Sequence, residues 1–309
     1  MRSWRWLRPA VGLLLLGALI AWLTPRALLG ELQSLTPAWI LAAIAVIAVA
    51  TMIAALALFL LIGRDQALSF RRFIGAYWTA WGVGLVVPGQ VGDLATLTLL
   101  LQRRGLHWPT SLGRSLLDKA ISLVVLGGFA AVELRAWWPA IRPSAAGIAM
   151  ILAGIAVVAL VAWLAIRRAM CGNASGGRLV QGVCATAREM SESALQHPGR
   201  TAANFALTIL KFALIVFAYW CVFRALGEEQ LDYSRALPLV ATSALVAYIP
   251  VSFNGLGTVE LAGIALFGGI GIEKSAVLSA YLLLRVMVLA IAWLPLLAAA
   301  AFKRPHHPA

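Results

Sequence analysis

Pro88-Gly89-Gln90-Val91-Gly92-Asp93 interrupts one long apolar segment of this 309-residue chain, and Asn254-Gly255-Leu256-Gly257-Thr258-Val259-Glu260, a few residues after Pro250, interrupts another. The two host segments run over 73–101 and 236–270, too long and too broken to be ordinary helical spans. Glycine and proline at this density break the helical hydrogen-bond ladder. Backbone groups freed in this way survive at membrane depth only inside protein or beside a wet cavity. Each segment therefore either crosses with a kink or turns back as a re-entrant hairpin.

The surroundings are those of a membrane protein. Hydrophobic residues make up 62% of the chain and charged residues 12%, against about 45–50% and 25% in soluble domains. Further apolar segments lie at 9–24, 38–62, 114–134, 145–166, 201–223 and 275–302. The first follows Arg2, Arg5 and Arg8 as a secretory signal would, but Thr24-Pro25-Arg26 stands in place of a cleavage site. It is read as a retained helix. Cys171, Cys184 and Cys221 have no metal-like spacing, and His107, His197, His306 and His307 lie outside the apolar runs. No metal and no cofactor is expected.

The net charge of +13 acts first as a topology signal. If both broken segments turn back, the cytoplasmic face holds 16 basic residues and the outer face 6. If both cross, the division is 12 against 10, and if only the second crosses it is 15 against 7. The positive-inside rule favours two hairpins, with both termini cytoplasmic in the plasma (inner) membrane. The basic excess then faces an anionic leaflet, and no nucleic acid is expected as a partner. Nine of the twelve tryptophans lie near span ends, where indole rings prefer to sit. The one sizeable soluble stretch, 167–200, is a cytoplasmic loop in which Leu179, Val183, Ala187, Met190 and Ala194 repeat at helical spacing opposite Arg188, Glu189 and Glu192. That pattern predicts an interfacial helix.

The expected fold is an all-α polytopic membrane protein, a single domain over 1–309 with about six transmembrane helices plus two re-entrant helical hairpins. Its halves, 9–134 and 145–302, each read span, span, hairpin, span. Three crossings are an odd number, so the halves enter from opposite faces as an inverted repeat. Asp93-Leu94-Ala95 after the first break echoes Glu260-Leu261-Ala262 in the second. Lys119 follows Asp93 by 26 residues, and Arg285 follows Glu260 by 25.

Six ionisable residues fall inside apolar segments: Asp93, Asp118, Glu260, Lys119, Lys211 and Arg285. Each would cost roughly 2.5–3.5 kcal/mol at a helix centre. Unpaired, the set would cost on the order of 15–20 kcal/mol, more than a typical net stability. They must pair or line a hydrated cavity. Asn204, Thr208 and Lys211 form a polar stripe at i, i+4 and i+7, and Ser115, Lys119 and Ser122 form another, with Arg114 and Asp118 alongside; Ser275, Ser279 and Tyr281 lie on the approach to Arg285. Such stripes face a bundle interior. The breaks present free N–H groups and positive helix ends, which suit a phosphate. Asp93 and Glu260 either cap and pair there or handle protons and headgroups. For Asp118, pairing with Arg114 is favoured; for Lys211 and Arg285, ligand contact.

At these residues the chain resembles a known family. The Pro88-Gly89-x-Val91-Gly92-Asp93 break, Leu117-Asp118-Lys119, and the Asn254-Gly255-Leu256-Gly257-x-x-Glu260 break followed by Arg285 occur in that order. This is similar to the flippase-like membrane domain of the lysylphosphatidylglycerol synthase family, in a stand-alone form without an aminoacyl transferase domain. The resemblance implies movement of charged-headgroup lipids between leaflets and a lipid-synthesising enzyme as a partner. It matches Gly89, Gly92, Asp93, Asp118, Lys119, Gly255, Gly257, Glu260 and Arg285 to the family's polar elements. Departures at Asp93, Asp118 and Lys119 keep the acid and base signs; with those at Gln90 and Asn254 they bear on headgroup preference.

The leading expectation is a non-enzymatic lipid transporter acting on a phospholipid, an aminoacylated lipid or a polyprenyl-phosphate glycolipid. Lys119, Lys211, Arg285, Asp93, Glu260, Asp118, Asn204 and Thr208 would bind the headgroup around a midplane cavity. The competing expectations are a membrane-embedded enzyme modifying lipid phosphates or glycolipids, and a non-catalytic subunit of such an enzyme.

Overall fold

The computed structural model describes residues 35–63, 68–87, 92–137, 178–248 and 255–302. Helices account for the regular structure among them: α1 (Pro37–Ile62), α2 (Phe70–Val86), α3 (Gly92–Gln102), α4 (Trp108–Trp137), α5 (Arg178–Gln196), α6 (Pro198–Ala225), α7 (Tyr233–Val246), α8 (Thr258–Gly268) and α9 (Lys274–Phe302). Among the described residues, α1, α6 and Lys274–Ala298 of α9 are long and apolar enough to cross a membrane. The 30-residue α4 carries Arg114, Asp118 and Lys119 on its inner face. The segments expected at 9–24 and 145–166 lie outside the described residues. Each broken segment forms two helices, α2 and α3 from the first, α7 and α8 from the second.

The most extensive pairing joins α1 to α6. Proline at the first turn starts both helices, where its missing N–H leaves no hydrogen bond unmade. Along α1, Ala43, Ile47, Ala50, Ala54, Ala57 and Leu61 recur at alternating four- and three-residue steps. Asn204, Thr208, Lys211, Ile215, Ala218, Val222 and Ala225 do the same on α6. This is the spacing of a packed helical seam, and small residues on it let two backbones approach closely. Thr36 N–H donates to Ala225 O at 3.1 Å, and Asn204 Nδ2 donates to Ala57 O at 2.9 Å. The helices are thus antiparallel in one constant register, which sets Lys211 across from Ala50.

That register defines two ends of the molecule. At the first, Arg104 donates to the carbonyl of Arg72, and Ile62, Phe73, Leu101 and Leu106 share one apolar cluster. The chain therefore leaves α3 where it entered α2. At the second end, Trp220 Nε1 donates to Leu231 O at 2.8 Å, just before α7, and Phe223 stacks on Phe267 of α8 with ring centroids 4.8 Å apart. So α7 and α8 likewise turn back, but open at the opposite end. Leaving α5 aside, each pairing among α1–α4 has its counterpart among α6–α9. The crossed pairings match too, α2 with α9 and α7 with α4.

The helix expected in 167–200 forms as α5 and lies along the start of α4. Its docked face differs from the expected apolar stripe. Thr110 Oγ1 donates to Glu189 Oε1 at 3.0 Å, and Arg114 Nε lies 3.7 Å from Glu189 Oε2. Val183 is 63% exposed, whereas Met190 and Ala194 pack beside Leu117 and Ile121. The polar groups that α4 offers draw Glu189 inward, a pull that apolar periodicity does not register.

Replacing the fully buried Ala43 with Leu overfills the α1–α6 seam and is expected to destabilise by about 1–3 kcal/mol. Thermal unfolding of the detergent-purified protein should show it. Leu41→Ala, at a residue 67% exposed on the same helix, should leave the midpoint nearly unchanged.

Candidate functional site

A cavity of about 440 Å³ lies between the two halves of the contact pattern, and all six interior ionisable residues line it. The helix pair α2–α3 contributes Asp93, α4 contributes Asp118 and Lys119, and α6 contributes Lys211. Glu260 comes from α8 and Arg285 from α9. Six charges spread over nearly 200 residues of sequence thus meet at one place, as the cost of scattering them in hydrocarbon requires.

Four of them form two ion pairs. Lys119 Nζ lies 2.6 Å from Asp93 Oδ2, and Arg285 meets Glu260 Oε1 through Nη2 at 2.7 Å and Nε at 3.0 Å. The nearly equal spacings in the sequence, 26 and 25 residues, are the spacings of these pairs. Each carboxylate also serves the start of its helix. Asp93 Oδ1 accepts from Leu94 N–H at 2.9 Å, and Glu260 Oε2 accepts from Gly257 N–H at 2.7 Å. Of the readings open for these acids, capping and pairing both hold, one oxygen for each. The pairs differ in exposure: both members of the first are 28% exposed, whereas Glu260 is 1% exposed and Arg285 26%.

Glycine makes both helix starts fit. Gly257, the N-cap of α8, has φ +79°, a region that side chains with a Cβ seldom enter. At α3 the need is for space: a Cβ on Gly84 would sit 2.8 Å from Asp93 Cβ. Gly84 lies upstream of the break and was not among the expected break residues. Of those, Gly92 begins α3 and Gly255 has φ +73°, while Pro88, Gly89 and Asn254 lie outside the described residues.

The remaining two charges are not joined to each other. Asp118 Oδ1 accepts from Asn204 Nδ2 at 2.8 Å, the same amide nitrogen that donates to Ala57 O. Asn204 therefore ties α6 to α4 and α1 behind the cavity wall; it is fully buried and does not line the cavity. Thr208 is also fully buried and absent from the lining. Arg114, one turn before Asp118, donates to Leu61 O at 2.7 Å and leans towards Glu189. Lys211 Nζ donates to Ser122 Oγ at 3.1 Å and stands 4.3 Å from the centroid of the Phe212 ring. Among the described residues it has no carboxylate partner.

Sequence reasoning placed Tyr281 on the polar approach to Arg285 and missed the other cavity tyrosines. Tyr77, Tyr219, Tyr248 and Tyr281, four of the five in the chain, line the cavity. Tyr219 and Tyr281 meet edge to face at 5.0 Å, and Tyr281 OH is 2.6 Å from Ser243 Oγ. Position along the segments gave no signal for Tyr77 and Tyr219, which stand beside Trp78 and Trp220 close to segment ends. Among the described residues no three His, Cys, Asp or Glu side chains gather as metal ligands would.

Removing one partner of a buried ion pair leaves a charge without compensation, at about 3–5 kcal/mol. Glu260→Gln should therefore lower the unfolding midpoint markedly. Asp93→Asn, in the more exposed pair, should lower it less. Equal shifts in thermal unfolding would contradict the difference in burial.

The sequence matches the family described as the lysylphosphatidylglycerol synthase TM region over residues 7–299. Comparison with curated proteins and with solved structures found no match for this chain.

Proposed function

Since the chain belongs to the lysylphosphatidylglycerol synthase TM-region family, we propose that this membrane protein moves lipids with charged headgroups between leaflets. The observation that carries this reading is the gathering of all six interior charges around one cavity. Its volume lies within the range of about 300–1,000 Å³ typical of small-molecule sites. A headgroup inside it exchanges water for fixed charges and tyrosine hydroxyls, while the acyl or prenyl tails stay in the bilayer. Lys211, Lys119 and Arg285 are the phosphate-binding groups. Lys211 is ready as it stands, and the other two reach a phosphate by exchanging their carboxylates for it. Asp93 and Glu260 hold those bases between turnovers and gate the two sides, and Asn204 fixes Asp118.

In the same reading, α2–α3 and α7–α8 are re-entrant hairpins in an inverted repeat, dipping into the inner membrane from opposite sides. Their openings at opposite ends and the paired contact pattern support this. The end bearing α5 and the exposed Arg71, Arg72, Arg103 and Arg104 is the cytoplasmic one by the positive-inside rule. In a background free of the native cysteines, His107→Cys should then resist an impermeant thiol reagent added outside intact cells. Rapid labelling would reverse the orientation.

Reconstitution into liposomes with a dithionite-quenchable phospholipid tests the transport itself. Wild type is expected to expose inner-leaflet probe, and Lys211→Ala and Arg285→Ala to slow this by about tenfold or more, as expected for lost charged contacts. Chemical conversion of the lipid without translocation would favour a membrane enzyme. Translocation indifferent to both substitutions would overturn the assignment of the cavity.

A further inference from the structure

Among the described residues, Lys211 and Asp118 are the base and the acid of the cavity without an ion-pair partner, and their placement points to a particular kind of headgroup. Lys211 bonds to a neutral hydroxyl, Ser122 Oγ, and Asp118 to a neutral amide, Asn204 Nδ2. Ser122 follows Asp118 by one turn of α4, so the two side chains leave the helix roughly 5–6 Å apart, and the Lys211 ammonium lies 3.1 Å from the Ser122 hydroxyl. Asp118 and Lys211 balance each other's charge at a distance but leave hydrogen-bonding capacity unused. An ammonium has three donors, and a carboxylate accepts from several.

Resting on the transport reading above, we propose that this site selects zwitterionic headgroups in which a phosphate and a primary ammonium are separated by two methylene groups. The phosphate sits on Lys211 and the ammonium on Asp118. The span between the two groups of a phosphoethanolamine is of the same order as that between the two side chains. The charge balance agrees: the lining carries three acids and three bases, so a headgroup of zero net charge leaves the desolvated cavity neutral. An anionic headgroup such as phosphoglycerol adds a charge that nothing balances, which a low-dielectric site penalises. A primary ammonium also supplies N–H donors to Asp118, which a trimethylammonium lacks. The other two acids are held by Lys119 and Arg285 before a headgroup arrives, so Asp118 is the acid that meets it first.

Binding at equilibrium tests this separately from transport. Short-chain phosphatidylethanolamine, phosphatidylcholine and phosphatidylglycerol compete with an acyl-labelled phosphatidylethanolamine for the detergent-purified full chain, read by fluorescence polarisation. The ethanolamine lipid is expected to bind about tenfold more tightly than either of the others, the scale of one charge-assisted contact. Asp118→Asn should abolish that preference without weakening phosphatidylglycerol, whose negative charge then meets one positive charge in excess on the lining. Lys211→Gln should weaken all three. Phosphatidylglycerol or phosphatidylcholine binding as tightly as phosphatidylethanolamine to wild type would overturn the proposal, and that comparison needs no variant to fold. Asp118→Asn weakening all three lipids alike, in a protein whose thermal unfolding is unchanged, would overturn it as well. Binding preference without translocation in liposomes would sink the transporter reading alone; translocation without preference would sink the headgroup assignment alone.

Discussion

Ionised side chains inside a chain this apolar are tolerable only when they find one another, and the bonds Asp93–Lys119 and Glu260–Arg285 are how this protein meets that condition. Each bond joins the start of a short helix, α3 or α8, to the interior of a long one, α4 or α9. The acids also accept backbone N–H groups at those helix starts, so a single residue answers two demands, an unsatisfied helix end and an unpaired base. Loss of either pair would strand a charge and an open helix end together. The two short helices are held in place by electrostatics as much as by packing.

The α1–α6 seam provides the frame in which those bonds form. Alanines at its contact positions bring the backbones close, and the polar stripe of α6 then falls opposite small residues. Where Lys211 faces Ala50, the seam opens into the cavity instead of closing on a large side chain. Two turns earlier on α6, Asn204 closes it again by bridging Ala57 and Asp118. Packing and polar placement are therefore one design: the residues that let the helices touch are also those that leave room for the cavity.

Much of this was legible in the sequence because charge in an apolar chain is scarce. The six interior ionisable residues stood out, and the cavity contains them all. The positions of α1, α4, α6 and α9 followed from apolar length, and the glycine-rich breaks marked the divisions between α2 and α3 and between α7 and α8. Contacts set by tertiary geometry were harder to read. Asn204 and Thr208 share the stripe of Lys211 yet sit behind the wall, since helical spacing gives a direction and not a depth. Glu189 turns towards Arg114 and Thr110 against the apolar pattern of its helix. Tyr77, Tyr219 and Tyr248 escaped because tyrosine is equally at home at a membrane interface.

The coupling between Asp93 and Lys119 tests the account most directly. A double-mutant cycle with Asp93→Asn, Lys119→Gln and the pair together, read by thermal or denaturant unfolding in detergent, isolates that one bond. The double variant is expected to be more stable than the two single losses added together, by about 1 kcal/mol or more, as residues in direct contact usually show. Strictly additive losses would mean that the two side chains do not meet, and that the charges do not share a cavity.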